Sequence, residues 1–217
     1  MKIIIIGLGL IGGSIAKTLS SSNDYEILAF DSDQKSIKNA LDNQSILGSL
    51  NSLNDLESVE YANSLVIIST PPNVTNNILK SLDFLFNSSL TITDTTSSKS
   101  SLNKTLQEFH FPENFIFSHP VAGSHLSGEE NSVANLFDGK STILSYHDSV
   151  TSKHVDRVKS LWSKLGSNIV VLDTELHDQI FAYSSHLPHL AAYALLNTCL
   201  LYTSDAADDT PCVDLGG

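Results

Sequence analysis

The chain has 217 residues, and its 24 acidic side chains outnumber its 12 lysines and arginines to give a formal net charge of −12. This balance, with Arg157 as the single arginine, argues against nucleic acid and anionic membrane surfaces as partners. No apolar run approaches the roughly 18 residues of a membrane span, and the isoleucine-rich start is too short for a signal peptide. We therefore expect a cytoplasmic protein with one α/β domain and a fragment of another.

The amino terminus carries the pattern of a strand, a glycine turn and the start of a helix. Lys2–Ile6 is typical of a strand that is buried on both faces of a parallel sheet. Gly7 would make the tight turn, Gly9 would let the backbone approach a pyrophosphate, and Gly12 would let the helix pack close to the strand. Such glycines also mark ordinary turns, but in this context they predict a dinucleotide site. The predicted cofactor-binding residues of the turn are Gly7, Gly9, Leu10, Ile11 and Gly12.

An acidic residue follows the second predicted strand, Glu26–Phe30. Asp31 stands about twenty residues after the glycine turn, where a carboxylate would accept hydrogen bonds from the ribose hydroxyls of adenosine. No arginine lies nearby to hold a 2′-phosphate, so the pattern favours NAD over NADP. Alternatively, Asp31 is only a turn or N-cap residue before the helix predicted from Gln34 to Leu41, a role that is compatible with cofactor binding.

Strand and helix patterns then alternate as in a doubly wound sheet. Further strands are predicted at Leu65–Ser69, Leu90–Asp94, Phe115–Ser118, Ser141–Leu144 and Asn168–Leu172. Helices are predicted at Asn54–Val59, Val74–Phe86, Ser127–Phe137 and Thr151–Leu165, with another through Leu102 and Leu106. The loop of Ser69, Thr70 and Pro71 follows a strand, so it is either a wall for the ribose or nicotinamide or simply a rigid turn.

Two polar stretches lie where predicted strands end. Thr95–Lys99 places several hydroxyls and one ammonium at a strand-to-helix junction, which is either an anion-binding pocket or a set of helix N-caps. His119 stands where the strand Phe115–Ser118 should emerge at the crevice, with proline and glycine nearby to fix its backbone. It is either a general acid–base group or a structural histidine whose hydrogen bonds are satisfied.

The remaining pattern is helical from residue 174 onward, and we place a domain boundary near Asp173. The predicted domains are therefore a dinucleotide-binding domain at residues 1–173 and the beginning of a helical domain at 174–198. Residues 199–217 lose the helical period and are interpreted as a non-native tail.

Cysteine and histidine spacing predicts neither a disulfide framework nor a metal site. Cys199 and Cys212 both lie in the final stretch, without a CxxC pair. His186 and His189 are three residues apart, but Pro188 lies between them and no cysteine or carboxylate cluster completes a coordination shell.

Six motifs occur along the chain in a specific order and spacing. They are GLGLIGGS at Gly7, STPP at Ser69, DTTSSK at Asp94, SHPVAGS at Ser118, LFDGK at Leu136 and HDQIFAYSSHLPHLAAYAL at His177. Together they resemble the prephenate and arogenate dehydrogenases of tyrosine biosynthesis, over nearly everything from Lys2 to about Asn197. The resemblance implies an α/β fold with a Rossmann-type doubly wound, mostly parallel sheet, followed by the start of an all-helical dimerisation domain.

The resemblance also implies NAD-dependent oxidative decarboxylation of prephenate to 4-hydroxyphenylpyruvate. His119 matches the histidine that takes or polarises the hydroxyl proton of the substrate. Ser97 matches the serine that hydrogen-bonds the same hydroxyl or the histidine. The predicted substrate-binding residues are Ser124, His125, His186, His189 and, from the polar junction above, Lys99.

Chains of this family continue into a long dimerisation domain, in which an arginine binds the ring carboxylate through two hydrogen bonds. This chain has no such arginine. We therefore expect a carboxyl-terminal truncation that binds NAD but turns over poorly or not at all, with a homodimer for a full-length relative. The alternatives are an arogenate dehydrogenase, an enzyme of the β-hydroxyacid dehydrogenase or imine reductase type, and a non-catalytic NAD-binding module.

Overall fold

A computed structural model describes residues 1–123 and 128–205 of the chain. The chain divides into two compact units, the first covering Met1–His177 and the second beginning at Asp178. The boundary proposed from the sequence, near Asp173, lies just before this division.

One sheet organises the first unit. The strands are β1 (Lys2–Ile6), β2 (Glu26–Phe30), β3 (Gly48–Ser49), β4 (Ser64–Ile68), β5 (Thr91–Asp94), β6 (Phe115–Pro120), β7 (Ser141–Ser145) and β8 (Asn168–Val171). Among the described residues they form an eight-stranded sheet in the order β3-β2-β1-β4-β5-β6-β7-β8. Neighbouring strands from β3 to β6 are parallel, β7 is antiparallel to β6, and β8 is parallel to β7. The predicted doubly wound, mostly parallel sheet is confirmed.

Helices connect the strands and extend the chain beyond β8. They are α1 (Leu10–Leu19), α2 (Gln34–Asp42), α3 (Pro72–Ser81), α4 (Ser100–Glu108), α5 (Ser152–Lys164), α6 (Thr174–Phe181) and α7 (Leu187–Asp205). Short 3₁₀ turns occur at Leu53–Ser58, Asp83–Leu85 and Glu129–Asn131, and a π-helical turn occurs at Ala182–His186.

The isoleucine run of β1 is buried because this strand lies between β2 and β4, with a hydrophobic core on each face. Ile3 and Ile5 pack into the core that also holds side chains of α1, α2 and α5. Ile4 and Ile6 pack into the opposite core, with side chains of α3 and α4. Successive strand residues point to opposite faces, so an unbroken apolar run satisfies both cores. Burial of each such side chain contributes about 1.5–3 kcal/mol.

The helix predicted at Ser127–Phe137 is wrong over the part that the structure describes. Residues 128–137 contain only the 3₁₀ turn Glu129–Asn131 and bends. Side chains of α1 take the place of helical hydrogen-bond partners: Lys17 donates to the carbonyl oxygens of Glu129 and Ser132. Ser14 Oγ accepts from the backbone N–H of Val133. Tertiary contacts with α1 therefore override the helical pattern of this segment.

Two other predicted helices differ in extent or type. The helix predicted at Val74–Phe86 begins earlier, at Pro72, and ends at Ser81, where the Ser81 hydroxyl donates to the carbonyl oxygen of Ile78. Proline suits a first helical turn because its missing N–H is not needed there. The segment predicted at Asn54–Val59 is a 3₁₀ turn whose Asp55 carboxylate accepts backbone N–H groups of Asn51 and Ser52.

The second unit, taken by itself, is helical where it is described. After the π-helical turn, α7 carries exposed apolar side chains that include Leu190, Tyr193 and Leu195. Across the described ranges, none of the helices combines the length and the apolar character needed to cross a membrane.

Candidate functional site

The glycine turn has the geometry that its sequence predicts. Gly7 has a φ of +97°, and a Cβ at this position would meet the carbonyl oxygen of Ser69. A Cβ at Gly12 would run into the carbonyl oxygen of Gly7, so this glycine allows α1 to approach β1. Gly9 differs, because no protein atom lies within 4 Å of the Cβ that it lacks. It is the N-cap of α1, and no side chain caps the first N–H groups of this helix.

The Asp31 carboxylate reaches back to the glycine turn. Its Oδ2 accepts a hydrogen bond from the Leu8 backbone N–H at 2.6 Å, and its Oδ1 accepts from the Asp33 N–H at 2.8 Å. The N-cap of α2 is Asp33, which accepts from the N–H groups of Lys35 and Ser36, so Asp31 is not the helix cap. A half-buried carboxylate beside the turn retains lone pairs for further donors such as ribose hydroxyls.

A cleft of about 320 Å³ lies beyond the carboxyl ends of the parallel strands. This volume falls in the range of small-molecule sites, about 300–1,000 Å³. The residues that line it are Gly9, Leu10, Ile11, Ser69, Thr70, Pro72, Thr95, Thr96, Ser97, His119, Pro120 and Ala122. The structure thus places the imidazole of His119 and the glycine turn on the same cleft, together with Ser97.

The loop after β4 contributes to the cleft through Ser69 and Thr70, as predicted. Pro71 is the N-cap of α3 and does not border the cleft, whereas Pro72 does. Thr95 Oγ1 donates to Ser69 Oγ at 3.2 Å, which links this loop to the one after β5. Hydroxyl groups from two loops therefore stand together at the cleft.

His119 is 8% exposed and lies at the end of β6, where its Nδ1 is 2.9 Å from Nε2 of the fully buried His177. The two rings meet edge to face, with centroids 5.1 Å apart and an interplanar angle of 73°. His177 belongs to the HDQ motif at the start of the helical region, but no role was predicted for it. Its place at the start of that motif is the only signal in the sequence, which does not show the pairing with His119.

The position of Lys99 differs from the predicted contact with the substrate. Its side chain is fully buried, and its Nζ lies 2.6 Å from Oδ2 of Asp94 and 2.7 Å from the carbonyl oxygen of Ser118. Burying an ammonium is costly unless it is paired, and the Asp94 carboxylate provides that partner. The structure therefore gives Lys99 a structural position beneath the cleft in place of the predicted contact, whereas Ser97 is exposed at the cleft.

The other predicted substrate-binding residues are not brought to this cleft by the first unit. Ser124 and His125 lie outside the described residues. His186 and His189 belong to the second unit, where both are exposed and His189 Nδ1 donates to the Ser185 carbonyl oxygen at 2.8 Å. Over residues 1–123 and 128–205, no group of three or more His, Cys, Asp or Glu side chains is placed to hold a metal ion.

The glycine turn, the acid after β2 and the cleft at the carboxyl ends of parallel strands define a dinucleotide-binding protein of the Rossmann type. Residues 15–171 match the family described as prephenate dehydrogenase, nucleotide-binding domain. Residues 173–211 match the family described as prephenate dehydrogenase, dimerization domain. The chain belongs to the prephenate dehydrogenase family.

Individual relatives agree with this assignment. The chain is 32% identical to a prephenate dehydrogenase of Lactococcus lactis subsp. cremoris, covering 98% of this chain and 56% of that protein. It is 31% identical to a cyclohexadienyl dehydrogenase of Zymomonas mobilis, covering 89% of this chain and 66% of that protein. The crystal structure of the Aquifex aeolicus prephenate dehydrogenase with hydroxyphenyl propionate and NAD⁺ superposes with a TM-score of 0.84 at 33% identity. That match covers 99% of this chain and 72% of the Aquifex chain. The chain thus spans about half to two thirds of the length of these two curated relatives.

Proposed function

We propose that this chain is the NAD-binding part of a cytoplasmic dehydrogenase that oxidatively decarboxylates prephenate to 4-hydroxyphenylpyruvate in tyrosine biosynthesis. The observation that carries the proposal is the placement of His119 and Ser97 on the cleft that also contains the glycine turn, in a chain of the prephenate dehydrogenase family. The Aquifex relative, whose structure contains NAD⁺ and hydroxyphenyl propionate, supports both the cofactor and a cyclic substrate with a short acid side chain.

The residues of this chain fit NAD. The open space at Gly9 leaves room for a pyrophosphate against the N–H groups that begin α1. The Asp31 carboxylate would accept hydrogen bonds from the ribose hydroxyls and would repel a 2′-phosphate, which favours NAD over NADP. Ser69 and Thr70 would border the nicotinamide end of the cofactor. When bound there, NAD supplies an acceptor for the hydride that leaves the ring carbon bearing the hydroxyl.

In the proposed reaction, His119 takes or polarises the proton of that hydroxyl while the hydride leaves, and Ser97 hydrogen-bonds the hydroxyl or the imidazole. Carbon dioxide leaves the ring, and the electron pair of the broken carbon–carbon bond completes the aromatic system. The proton returns to the oxygen and gives the phenol. Aromatisation supplies the driving force, so the protein mainly has to hold the ring, the imidazole and the hydride acceptor in position.

Arogenate is the alternative substrate, and it differs from prephenate by an amino group in place of the side-chain keto group. Within the family resemblance, Ser124, His125, His186 and His189 are the residues proposed to meet the substrate. Contacts to the side chain would decide between the two substrates. A homodimer is proposed for the full-length protein because residues 173–211 match a dimerization domain.

The test is a pair of titrations followed by a turnover measurement. Isothermal calorimetry of the 217-residue chain should show binding of NAD at least roughly tenfold tighter than NADP, about 1.4 kcal/mol. Binding of NADP as tight as that of NAD would contradict the role of Asp31. If the chain bound neither nucleotide, NAD would be excluded as its cofactor. Prephenate and arogenate are then mixed separately with excess protein and NAD, and NADH absorbance is followed in a single turnover. A non-catalytic module would bind NAD but neither prephenate nor arogenate in separate calorimetric titrations, and it would form no NADH.

A further inference from the structure

The imidazole proposed to take the substrate proton is paired with a second, more deeply buried imidazole. His119 Nδ1 and His177 Nε2 are 2.9 Å apart, and both residues lie within the first compact unit. His177 is fully buried in the first turns of α6, where its backbone N–H donates to the Asp173 carbonyl oxygen. The start of α6 therefore fixes the backbone that carries this ring.

The direction of this hydrogen bond decides the chemistry of His119. A neutral imidazole carries its proton on one nitrogen only, and the other nitrogen is an acceptor. If His177 Nε2–H donates, His119 has its proton on Nε2 and cannot accept another there. If His119 Nδ1–H donates, its Nε2 carries a lone pair and can take a proton from a substrate hydroxyl. Only the second arrangement makes His119 a base.

We propose that His177 is a positioning residue whose Nε2 accepts the Nδ1–H of His119 and so keeps neutral His119 in the tautomer with an unprotonated Nε2. This inference rests on the proposed function, because it concerns the base of that reaction. When the substrate hydroxyl transfers its proton to His119 Nε2, the Nδ1–H bond to His177 persists and stabilises the imidazolium. His177 neither gains nor loses a proton in this step.

A purely structural role does not account for an imidazole at this position as well as the pairing does. A polar ring with no exposed surface costs free energy unless its nitrogens are hydrogen-bonded, and an apolar side chain of similar size would fill the space at lower cost. A shared metal ion is also unsupported, because no third His, Cys, Asp or Glu joins the two rings to form a metal-binding group within the described ranges.

The tautomer can be read directly from ¹⁵N-labelled protein. Multiple-bond ¹H–¹⁵N spectra of the 217-residue chain at about pH 8, above the usual histidine pKa, distinguish protonated from unprotonated ring nitrogens. We expect His119 to show an unprotonated Nε2 and a protonated Nδ1. A protonated His119 Nε2 in the native chain would overturn the proposal. Exposed His110 serves as the internal reference for an unpaired ring.

Two variants at position 177 separate hydrogen bonding from packing. His177→Phe fills the space without an acceptor, and we expect the protonated-Nε2 form of His119 to increase. His177→Gln retains an acceptor in its side-chain amide, and we expect the native tautomer to persist. An unchanged tautomer in His177→Phe would overturn the proposal. Should that variant not fold, loss of the native tautomer in a folded His177→Gln would do the same. His147→Phe, at an exposed histidine stacked on Phe111, is the matched control.

Kinetics supply a second readout. In single turnovers, His177→Phe should slow hydride transfer by about 10- to 100-fold. This loss is part of the rate enhancement of about 10²–10⁴-fold that general acid–base catalysis supplies. NAD affinity should stay unchanged, and His177→Gln should restore most of the rate. Equal rates in the native chain and His177→Phe would contradict the positioning role. If the native chain forms no NADH, as the missing ring-carboxylate arginine allows, the tautomer spectra decide the pairing by themselves, and the proposed function stands or fails on NAD binding.

Discussion

The two walls of the cleft are built in different ways. The glycine wall, formed by Gly9, Leu10 and Ile11, offers backbone and open space, and a Cβ at Gly9 would meet no protein atom. The histidine wall, formed by Thr95, Thr96, Ser97 and His119, stands on buried polar side chains that bond one another. The first wall therefore depends on local backbone geometry. The second depends on side chains that come together from distant parts of the chain.

Ser118 shows how firmly the histidine wall is held. Its backbone N–H donates to Asp94 Oδ1 at 3.2 Å, and its carbonyl oxygen accepts from Lys99 Nζ at 2.7 Å. Its Oγ accepts from Trp162 Nε1 at 3.0 Å. Since Ser118 directly precedes His119, two side chains restrain the backbone next to the proposed base, and a third restrains the Ser118 side chain.

The largest expected effect comes from removing the imidazole of the histidine wall while leaving the glycine wall intact. In His119→Asn, single-turnover hydride transfer should fall about 10²–10⁴-fold, whereas the dissociation constant of NAD measured by calorimetry should change little. His110→Asn is the matched control, because His110 is exposed and has a φ of 57°, which asparagine tolerates. A rate within a fewfold of the native value in His119→Asn would exclude the imidazole as the base.

The next largest effect should come from breaking the buried ion pair beneath the histidine wall. Lys99→Met leaves the Asp94 carboxylate buried without its ammonium partner, which should lower the free energy of unfolding by about 3–5 kcal/mol. Lys80→Met breaks the exposed pair with Glu108 and should change stability by about 0–1 kcal/mol. Urea titration followed by Trp162 fluorescence measures both. Equal stability changes in the two variants would show that the buried pair is not needed.

His154, a buried histidine of α5 that lies next to the first residue of β5, tests the cost of burying a charge away from both walls. Burial, with the charges of Arg157 and Lys153, lowers the pKa of His154 from 6.5 to about 4, and its Nδ1 is 2.7 Å from Thr91 Oγ1. Between these values the unfolded chain binds a proton that the folded chain does not. The contribution of His154 to the free energy of unfolding is therefore complete above pH 6.5. It should fall by up to about 3 kcal/mol as the pH approaches 4.

His154→Gln removes this titration while retaining a polar side chain next to Thr91. The difference in unfolding free energy between the native chain and the variant should therefore vary with pH from 7 to 4.5 in urea titrations. His147→Gln, at an exposed ring, provides the comparison. A constant difference between native chain and His154→Gln across this range would contradict the lowered pKa.

The smallest effect concerns the glycine wall and isolates cofactor binding from folding. Gly9→Ala adds a methyl group into open space, so the stability should change by less than about 1 kcal/mol. The same methyl group should weaken NAD binding roughly tenfold, about 1.4 kcal/mol, because the cofactor backbone has to approach at this point. Gly12→Ala should do the reverse and mainly lower the melting temperature, since its Cβ would meet the Gly7 carbonyl oxygen. Unchanged NAD affinity in Gly9→Ala would exclude a close approach there.

Much of the fold was predictable because its signals are local. β1 and β2 have the predicted bounds, and the amphipathic pattern at Thr151–Leu165 corresponds to α5. The helix predicted over residues 128–137 does not form because the backbone of this segment bonds to Ser14 and Lys17 of α1, more than a hundred residues earlier. A helical pattern in the sequence carries no record of such partners.

By itself the sequence determined the glycine turn, the acid after β2 and the edge of the sheet at which His119 emerges. These follow from backbone conformation, glycine sterics and the alternation of strands and helices, which act over a few residues. Only the tertiary structure decided that Lys99 is buried against Asp94 and that His119 meets His177, 58 residues away. Whether a charged or polar side chain faces a ligand or another side chain depends on which distant groups satisfy its hydrogen bonds once the strands are assembled.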